Sequence, residues 1–196
     1  MSRALTPGIR FIVTSLCNYD CIYCHNEWEP KVKPISGLEI KLINELVQAT
    51  KELGGREVDV TGGEPLLRID RVTAILQAAK QYEMFTNLTT NGYFLDRDSE
   101  TLSKLGLDEI HVHIPTLNPL LYTQLMRGNA DLAKVLAGLE KIKGKIFVIK
   151  ANIPIEAGVN DTEISVLLDY LTGNGITPRF IETMSTASYG TNGQRV

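Results

Sequence analysis

The chain has 196 residues, 43% of them hydrophobic and 22% charged, with a formal net charge of −3. That length suits one domain with a sizeable core, and the near balance of charge provides no general attraction to nucleic acid or to an anionic membrane surface. Met1 to Gly8 lacks the apolar core of a signal peptide, and no run approaches the roughly 18 apolar residues of a membrane span, so the cytoplasm is the expected compartment.

Ile9 to Thr14 is rich in β-branched residues and predicts a first strand. It leads into Cys17, Cys21 and Cys24, the only cysteines in the chain. Three clustered thiols do not make an even disulfide framework, and they persist as free ligands in a reducing compartment. The spacing Cys17-x3-Cys21-x2-Cys24 lets one loop turn three soft thiolates toward a common point, as iron–sulfur clusters and zinc both require. With His25 included, a Cys3His zinc site is the rival reading, although adjacent Cys24 and His25 have poor ligand geometry. His25, Asn26 and Trp28 beside the loop suit packing as well as function.

Ser36-x-x-Glu39 resembles a capping box ahead of a helix whose apolar face is Leu38, Leu42, Leu46, Ala49 and Leu53, ended by Gly54-Gly55. Glu57 to Thr61 predicts a second strand, followed by Gly62-Gly63-Glu64-Pro65 and a helix over Asp70 to Gln81 with Val72, Ile75, Leu76 and Ala79 inward. A third strand (Phe85 to Thr90), a short helix (Asp98 to Leu105) and a fourth strand (Asp108 to Pro115) follow. Asn118-Pro119 opens a helical region with a polar cap and a proline in its first turn. The next helix carries Leu132, Val135, Leu136, Leu139 and Ile142 on one face, and Lys145 to Ile153 predicts strand five. Asn160-x-x-Glu163 again looks like a capping box, before Ile164, Leu167, Leu168 and Leu171. Thr177 to Glu182 is the sixth strand, and residues 185–196 form a polar tail behind a core domain of residues 1–184.

Six strands alternating with helices predict an α/β fold on a parallel sheet, either open and doubly wound or an incomplete barrel. In both, active sites gather at the C-terminal strand ends, which here carry the cysteine loop, Gly62-Gly63-Glu64-Pro65 and Thr89-Thr90-Asn91-Gly92. On strand four, Ile110, Val112 and Ile114 alternate with His111 and His113. If the apolar set faces the helices, both histidines point into the barrel as candidate catalytic or cavity-lining groups.

The cysteine spacing with Tyr23 before the last cysteine, together with Gly62-Gly63-Glu64-Pro65, resembles the radical S-adenosylmethionine (SAM) superfamily. Thr61 to Arg68, Thr89 to Gly92, Gly158-Val159-Asn160-Asp161 and Arg179-Phe180-Ile181-Glu182 extend the likeness to the GTP 3',8-cyclases that begin molybdenum cofactor biosynthesis, over residues 9–184. The resemblance implies a partial (βα)6 TIM-type barrel whose Cys17, Cys21 and Cys24 hold a [4Fe-4S] cluster, leaving one iron for the amino and carboxylate groups of SAM. Reductive cleavage of SAM would then release a 5'-deoxyadenosyl radical that abstracts hydrogen from a small-molecule or peptide substrate. By the same likeness, Tyr23, Gly62, Gly63, Glu64, Thr89, Lys150 and Asn152 are SAM-binding positions. His113 stands where the cyclases carry a SAM-binding serine. Arg10 and Arg179 match substrate-binding arginines, and an electron donor such as flavodoxin or ferredoxin is implied.

Departures from the cyclase pattern point away from GTP cyclisation itself. Glu57 and Asp59 stand where the family places a lysine and an arginine for the triphosphate, so a polyanion would be repelled. Ser15-Leu16 replaces an Asp-Arg pair, Pro115 replaces an aspartate, and no second three-cysteine region follows. The alternatives are a non-catalytic SAM- or metal-binding module, a 7-carboxy-7-deazaguanine synthase-like enzyme and a glycyl-radical-activating enzyme.

Overall fold

The structure, a computed structural model, describes residues 8–24 and 40–183. His25, Asn26, Trp28, the Ser36-x-x-Glu39 box and the polar tail lie outside the described residues. The strands are β1 (Gly8–Ile12), β2 (Glu57–Thr61), β3 (Phe85–Thr90), β4 (Glu109–His113), β5 (Val148–Ile155) and β6 (Thr177–Glu182). Between them run α1 (Ile40–Glu52), α2 (Ile69–Gln81), α3 (Leu95–Lys104), α4 (Pro119–Met126), α5 (Leu132–Ile142) and α6 (Ile164–Gly173). No helix among the described residues is long and apolar enough to cross a membrane.

All strand pairs are parallel, and the sheet order is β1-β2-β3-β4-β5-β6. A doubly wound sheet reverses its strand order partway. This one never does, so the protein is a partial TIM-type barrel of six strands. Alternation along the strands separates two environments. Val58, Val60, Leu88, Ile110, Val112 and Ile114 are fully buried under the helices. Each such side chain contributes about 1.5–3 kcal/mol of burial. The opposite face carries Glu57, Asp59, Asn87, Glu109, His111, His113, Lys150 and Asn152, and this polar set lines the barrel.

Several elements differ from the sequence expectation. The buried stripe of α1 is Ile43 and Val47, while Leu42 and Leu53 are 42% and 83% exposed. Both stripes have helical spacing, and only packing against α2 chooses between them. The third helix begins at Leu95, three residues before Asp98, because Gly92 adopts a φ of +85° and its carbonyl accepts from Leu95 N. Asp98 is instead buried within the helix and paired with Arg97. Strand four is shorter than expected, although Ile114 N still donates to the Asn152 carbonyl at 3.0 Å. Strand five starts later, because Lys145 and Ile146 close the end of α5 by donating to Ile142.

Asn160 does not cap α6. Its buried amide donates to the carbonyls of Pro115 and Pro154, both at 2.8 Å, and its Oδ1 accepts from Glu156 N, so it ties the ends of β4 and β5 together. The cap expected at Asn118 does form, with Oδ1 accepting from Leu120 N and Leu121 N and Pro119 in the first turn.

Candidate active site

The loop after β1 is held from both sides by backbone. On one side, Gly63 N and Glu64 N donate to the carbonyls of Thr14 and Leu16 at 2.7 and 2.8 Å. The approach leaves no room for a side chain: a Cβ at Gly62 would lie 2.6 Å from the Thr14 oxygen, and one at Gly63 only 2.2 Å from the Leu16 oxygen. The double glycine is therefore needed to seat the cysteine loop against β2. On the other side, Asp20 N and Ile22 N donate to the carbonyls of Met126 and Leu125, and Asn129 N donates to Asn18 O. Gly128, at φ +58°, passes so near Asn18 that a Cβ would lie 2.7 Å from its oxygen.

Cys17 and Cys24 are exposed and Cys21 half-buried. Burial, followed by the charges of Cys17 and Cys24, pushes the Cys21 thiol up to about 12, and burial also raises Cys17. Cys17 and Cys21 are therefore protonated at neutral pH in the metal-free loop, and loading iron must displace those protons. Among the described residues, no three His, Cys, Asp or Glu side chains are gathered for a single metal ion. Three soft thiols on a loop pinned at both ends fit the corners of a cluster. Cys17 Sγ accepts from Tyr19 N at 3.4 Å and from Asn91 Nδ2 at 3.7 Å. Met126 Sδ lies 3.7 Å from Cys21 Sγ and accepts the Tyr23 hydroxyl.

Glu64 is fully buried, and burial raises its carboxyl to about 7. Its Oε1 accepts from Leu66 N and Thr90 Oγ1, and its Oε2 from Asn91 N. This carboxylate, expected to receive SAM, is occupied by the turns after β2 and β3. Within the Gly62-Gly63-Glu64-Pro65 segment, main-chain carbonyls are the remaining acceptors for an ammonium group.

Strand pairing places Asn152 beside His113 on β4 and Arg179 on β6. Asn152 is only 6% exposed, and its Oδ1 has no hydrogen-bond partner. Asn18 Nδ2 in the cysteine loop is orphaned in the same way. A buried unpaired polar atom costs about 1–3 kcal/mol, so these two mark the upper barrel as prepared for a polar ligand. His113, half-buried on the lining, is held down to about pKa 4 by burial, then by His111 and Arg179, so it is neutral at physiological pH. Thr89 is half-buried on the same lining.

His111 takes a different part. Its Nδ1 accepts from Arg179 Nη1 at 3.0 Å, since a guanidinium only donates. The proton therefore sits on Nε2, which faces Glu109 Oε1. The same Glu109 oxygen holds Lys150 Nζ. Of the two catalytic candidates, His111 is thus committed to a Glu109–His111–Arg179 chain, and Lys150 is an ion-pair partner. Arg10 pairs with Asp59 at 3.2 Å. Asn87 Nδ2 donates to both Glu57 and Asp59. Sequence reading passed over Glu109 and Asn87, although the period-two pattern puts Glu109 on the face of the two histidines. It passed over Met126 too, for which no local signal exists.

A parallel partial barrel, with three thiols above its first strand and a polar strand lining beside them, defines an enzyme class that cleaves SAM. Residues 11–171 match the Radical SAM superfamily, to which this chain belongs. That family uses SAM and a [4Fe-4S] cluster. The chain is 37% identical over 167 residues to the probable GTP 3',8-cyclase of Archaeoglobus fulgidus, covering 85% of this chain and 55% of that protein. To the GTP 3',8-cyclase of Hydrogenovibrio crunogenus it is 34% identical, covering 93% of this chain and 56% of the relative. It therefore spans about half the length of these relatives. Streptococcus suis SuiB bound to S-adenosylmethionine superposes with a TM-score of 0.80 at 18% identity, covering 94% of this chain and 42% of SuiB. Methylornithine synthase gives 0.69 at 18% identity, covering 96% and 56%. Both relatives carry the name GTP 3',8-cyclase, the reaction from which Glu57 and Asp59 pointed away in the sequence.

Proposed function

We propose that this barrel binds SAM beside a cluster on Cys17, Cys21 and Cys24 and uses it to take hydrogen from a substrate held above Lys150 and Arg179. The single observation that carries the reading is the orphaned Asn152 Oδ1 on the same barrel end as the clamped cysteine loop. Cys17, Cys21 and Cys24 would hold the cluster, which when reduced would supply the one electron needed for reductive cleavage of SAM and so for hydrogen abstraction from the substrate.

The chain's own residues do the positioning. The Gly62-Gly63 backbone holds the thiol loop in register with β2, and its carbonyls accept the SAM ammonium. Asn152 Oδ1 accepts from a hydroxyl or amino donor of SAM. Neutral His113 donates one N–H to a carboxylate without adding charge. Tyr23 and Thr89 complete this contact set. Arg179, steadied by His111, keeps guanidinium N–H groups for an anionic part of the substrate, and Arg10 lies at the opposite edge of the sheet.

A purine nucleotide of the GTP class is the first substrate to examine, because of the named relatives. A second reading, a less anionic small molecule or peptide, is favoured by the Glu57 and Asp59 carboxylates on the lining. We place the activity in the cytoplasm, with a flavodoxin or ferredoxin as donor. The test is anaerobic reconstitution with iron and sulfide, reduction, and measurement of 5'-deoxyadenosine from SAM, alone and with GTP or candidate peptides. SAM cleavage is expected; none from an intact reduced cluster would leave a binding module. Stimulation by GTP supports the first substrate class, and stimulation only by uncharged or peptide compounds supports the second.

A further inference from the structure

Asn91, in the turn after β3, carries an inference that rests on the radical SAM reading but is separate from the SAM contacts. The residue is 8% exposed, and the orientation of its amide follows from its neighbours. Tyr93 N, which can only donate, lies 3.0 Å from one amide atom, so that atom is Oδ1. The other atom is therefore Nδ2, whose two hydrogens face Asn18 Oδ1 at 2.9 Å and Cys17 Sγ at 3.7 Å.

The turn beneath this amide is fixed from below. Asn91 N donates to Glu64 Oε2 at 2.8 Å, Thr90 Oγ1 donates to Glu64 Oε1 at 2.7 Å, and Gly92 N donates back to Thr90 Oγ1 at 3.0 Å. Gly92 holds φ +85°, where Val112 and Val135 would both lie 2.8 Å from an added Cβ. The amide is thus aimed by a buried carboxylate, a positive-φ glycine and a main-chain donor. Cys17 also accepts from Tyr19 N, so it collects two N–H donors, one from main chain and one from a side chain. Cys21 instead faces the Met126 thioether. The three thiols are chemically unequal before any cluster is bound.

We infer that Asn91 is a positioning and tuning residue for the Cys17 corner of the cluster: its Nδ2–H donates to the Cys17 thiolate and thereby stabilises the reduced state. A hydrogen bond withdraws electron density from a thiolate ligand, and hydrogen bonds to sulfur are among the factors that set cluster potentials. Reduction adds negative charge, which the donor offsets more strongly than in the oxidised state. The electron itself comes from an external reductant; Asn91 changes only the equilibrium between the two states.

The decisive comparison uses reconstituted wild type, Asn91→Leu and Asn91→Asp without SAM, each checked for iron and sulfide content and titrated by following the signal of the reduced cluster. Both variants keep the branched outline of asparagine and lack the N–H; aspartate also keeps its volume, whereas leucine is larger. The aspartate variant also preserves the acceptor for Tyr93. The expected result is full cluster content with a reduced-to-oxidised ratio about tenfold lower at a fixed ambient potential, ~59 mV for one electron, and a larger drop for aspartate because of its charge. Asn91→Gln, which retains an amide donor, is expected to lie closer to wild type. If the leucine variant does not load, the aspartate variant decides by itself. A wild-type potential in a fully loaded variant lacking the donor overturns the inference while leaving the radical SAM reading intact. Failure of the wild-type protein to form any reducible cluster overturns that reading instead.

Discussion

In the lower layer of the barrel lining, Asn87 serves both Glu57 and Asp59, Arg10 holds Asp59, and Glu109 holds Lys150 and His111. At the upper end, Asn152 Oδ1 and Asn18 Nδ2 are buried without partners, and the His113 ring, influenced only by burial, His111 and Arg179, makes no side-chain hydrogen bond among the described residues. Both layers are polar, and His113 and Asn152 lie on the same strand face as His111 and Lys150, two residues further along β4 and β5. The difference is how completely protein atoms satisfy them. A satisfied layer contributes to holding the strands; an unsatisfied one stores a cost that a ligand relieves.

The largest expected effect is at the thiol loop. Cys21→Ala removes one of three cluster corners, and iron and sulfide analysis after anaerobic reconstitution should find no four-iron cluster and no SAM cleavage; retention of both would end the assignment.

Next comes a pair that tests the contrast itself. Asn87→Leu strips the donor from two carboxylates and should destabilise the metal-free protein by about 1–3 kcal/mol in denaturant unfolding. Asn152→Leu removes an acceptor that has nothing to lose in the free protein, so stability should stay the same or rise. SAM affinity, read by equilibrium binding to the reconstituted protein, should fall about tenfold, or ~1.4 kcal/mol. Equal destabilisation by both variants would erase the distinction between the layers.

A pH experiment follows from His113. It takes its proton near pH 4 in the folded protein and near 6.5 otherwise. Between those values the unfolded chain holds more protons, so stability is complete above about pH 6.5 and falls as pH drops toward 4. Glu64 acts in the opposite sense: its folded value of about 7 against 4.5 gives a contribution present below 4.5 and lost as pH rises through 7. His113→Gln should remove only the first term, leaving the variant about 1–2 kcal/mol more stable relative to wild type at pH 5 than at pH 7.5. An unchanged difference across that range would show that His113 does not titrate as its burial dictates.

The smallest effect is at Arg10, whose side chain is 69% exposed in its pair with Asp59. Arg10→Ala should alter stability by less than ~1 kcal/mol, and by less still at high salt. If substrate-stimulated SAM cleavage nevertheless falls tenfold or more, the arginine serves the substrate more than the lower layer.

Much was determined by sequence alone. Cysteine spacing and the Gly62-Gly63-Glu64-Pro65 run carry the family resemblance that implies the chemistry, because a metal loop and a glycine turn are local arrangements; spacing by itself left zinc open beside iron. Period-two alternation put His111, His113, Lys150 and Asn152 on the lining, because a strand's geometry sorts side chains without reference to the rest of the chain. Asn118 also capped its helix as expected, its partners lying two and three residues away.

Tertiary structure decided what local pattern leaves degenerate. The α1 stripe read from spacing included Leu42 and Leu53, and packing buried Ile43 and Val47 instead. Asn160 looked like a cap, yet the carbonyls of Pro115 and Pro154 took its amide. Glu64, a presumed ligand contact, became the pin between two turns, and of two histidines on one face only His113 was left free of hydrogen bonds. The physical reason is common to these cases: a polar side chain has more possible partners than it can satisfy, and which it takes depends on atoms up to a hundred residues away. That same distance brings Asn91 to Cys17, a contact across 74 positions. Spacing put three thiols on one loop, but only the folded chain gave Cys17 and Cys21 different neighbours.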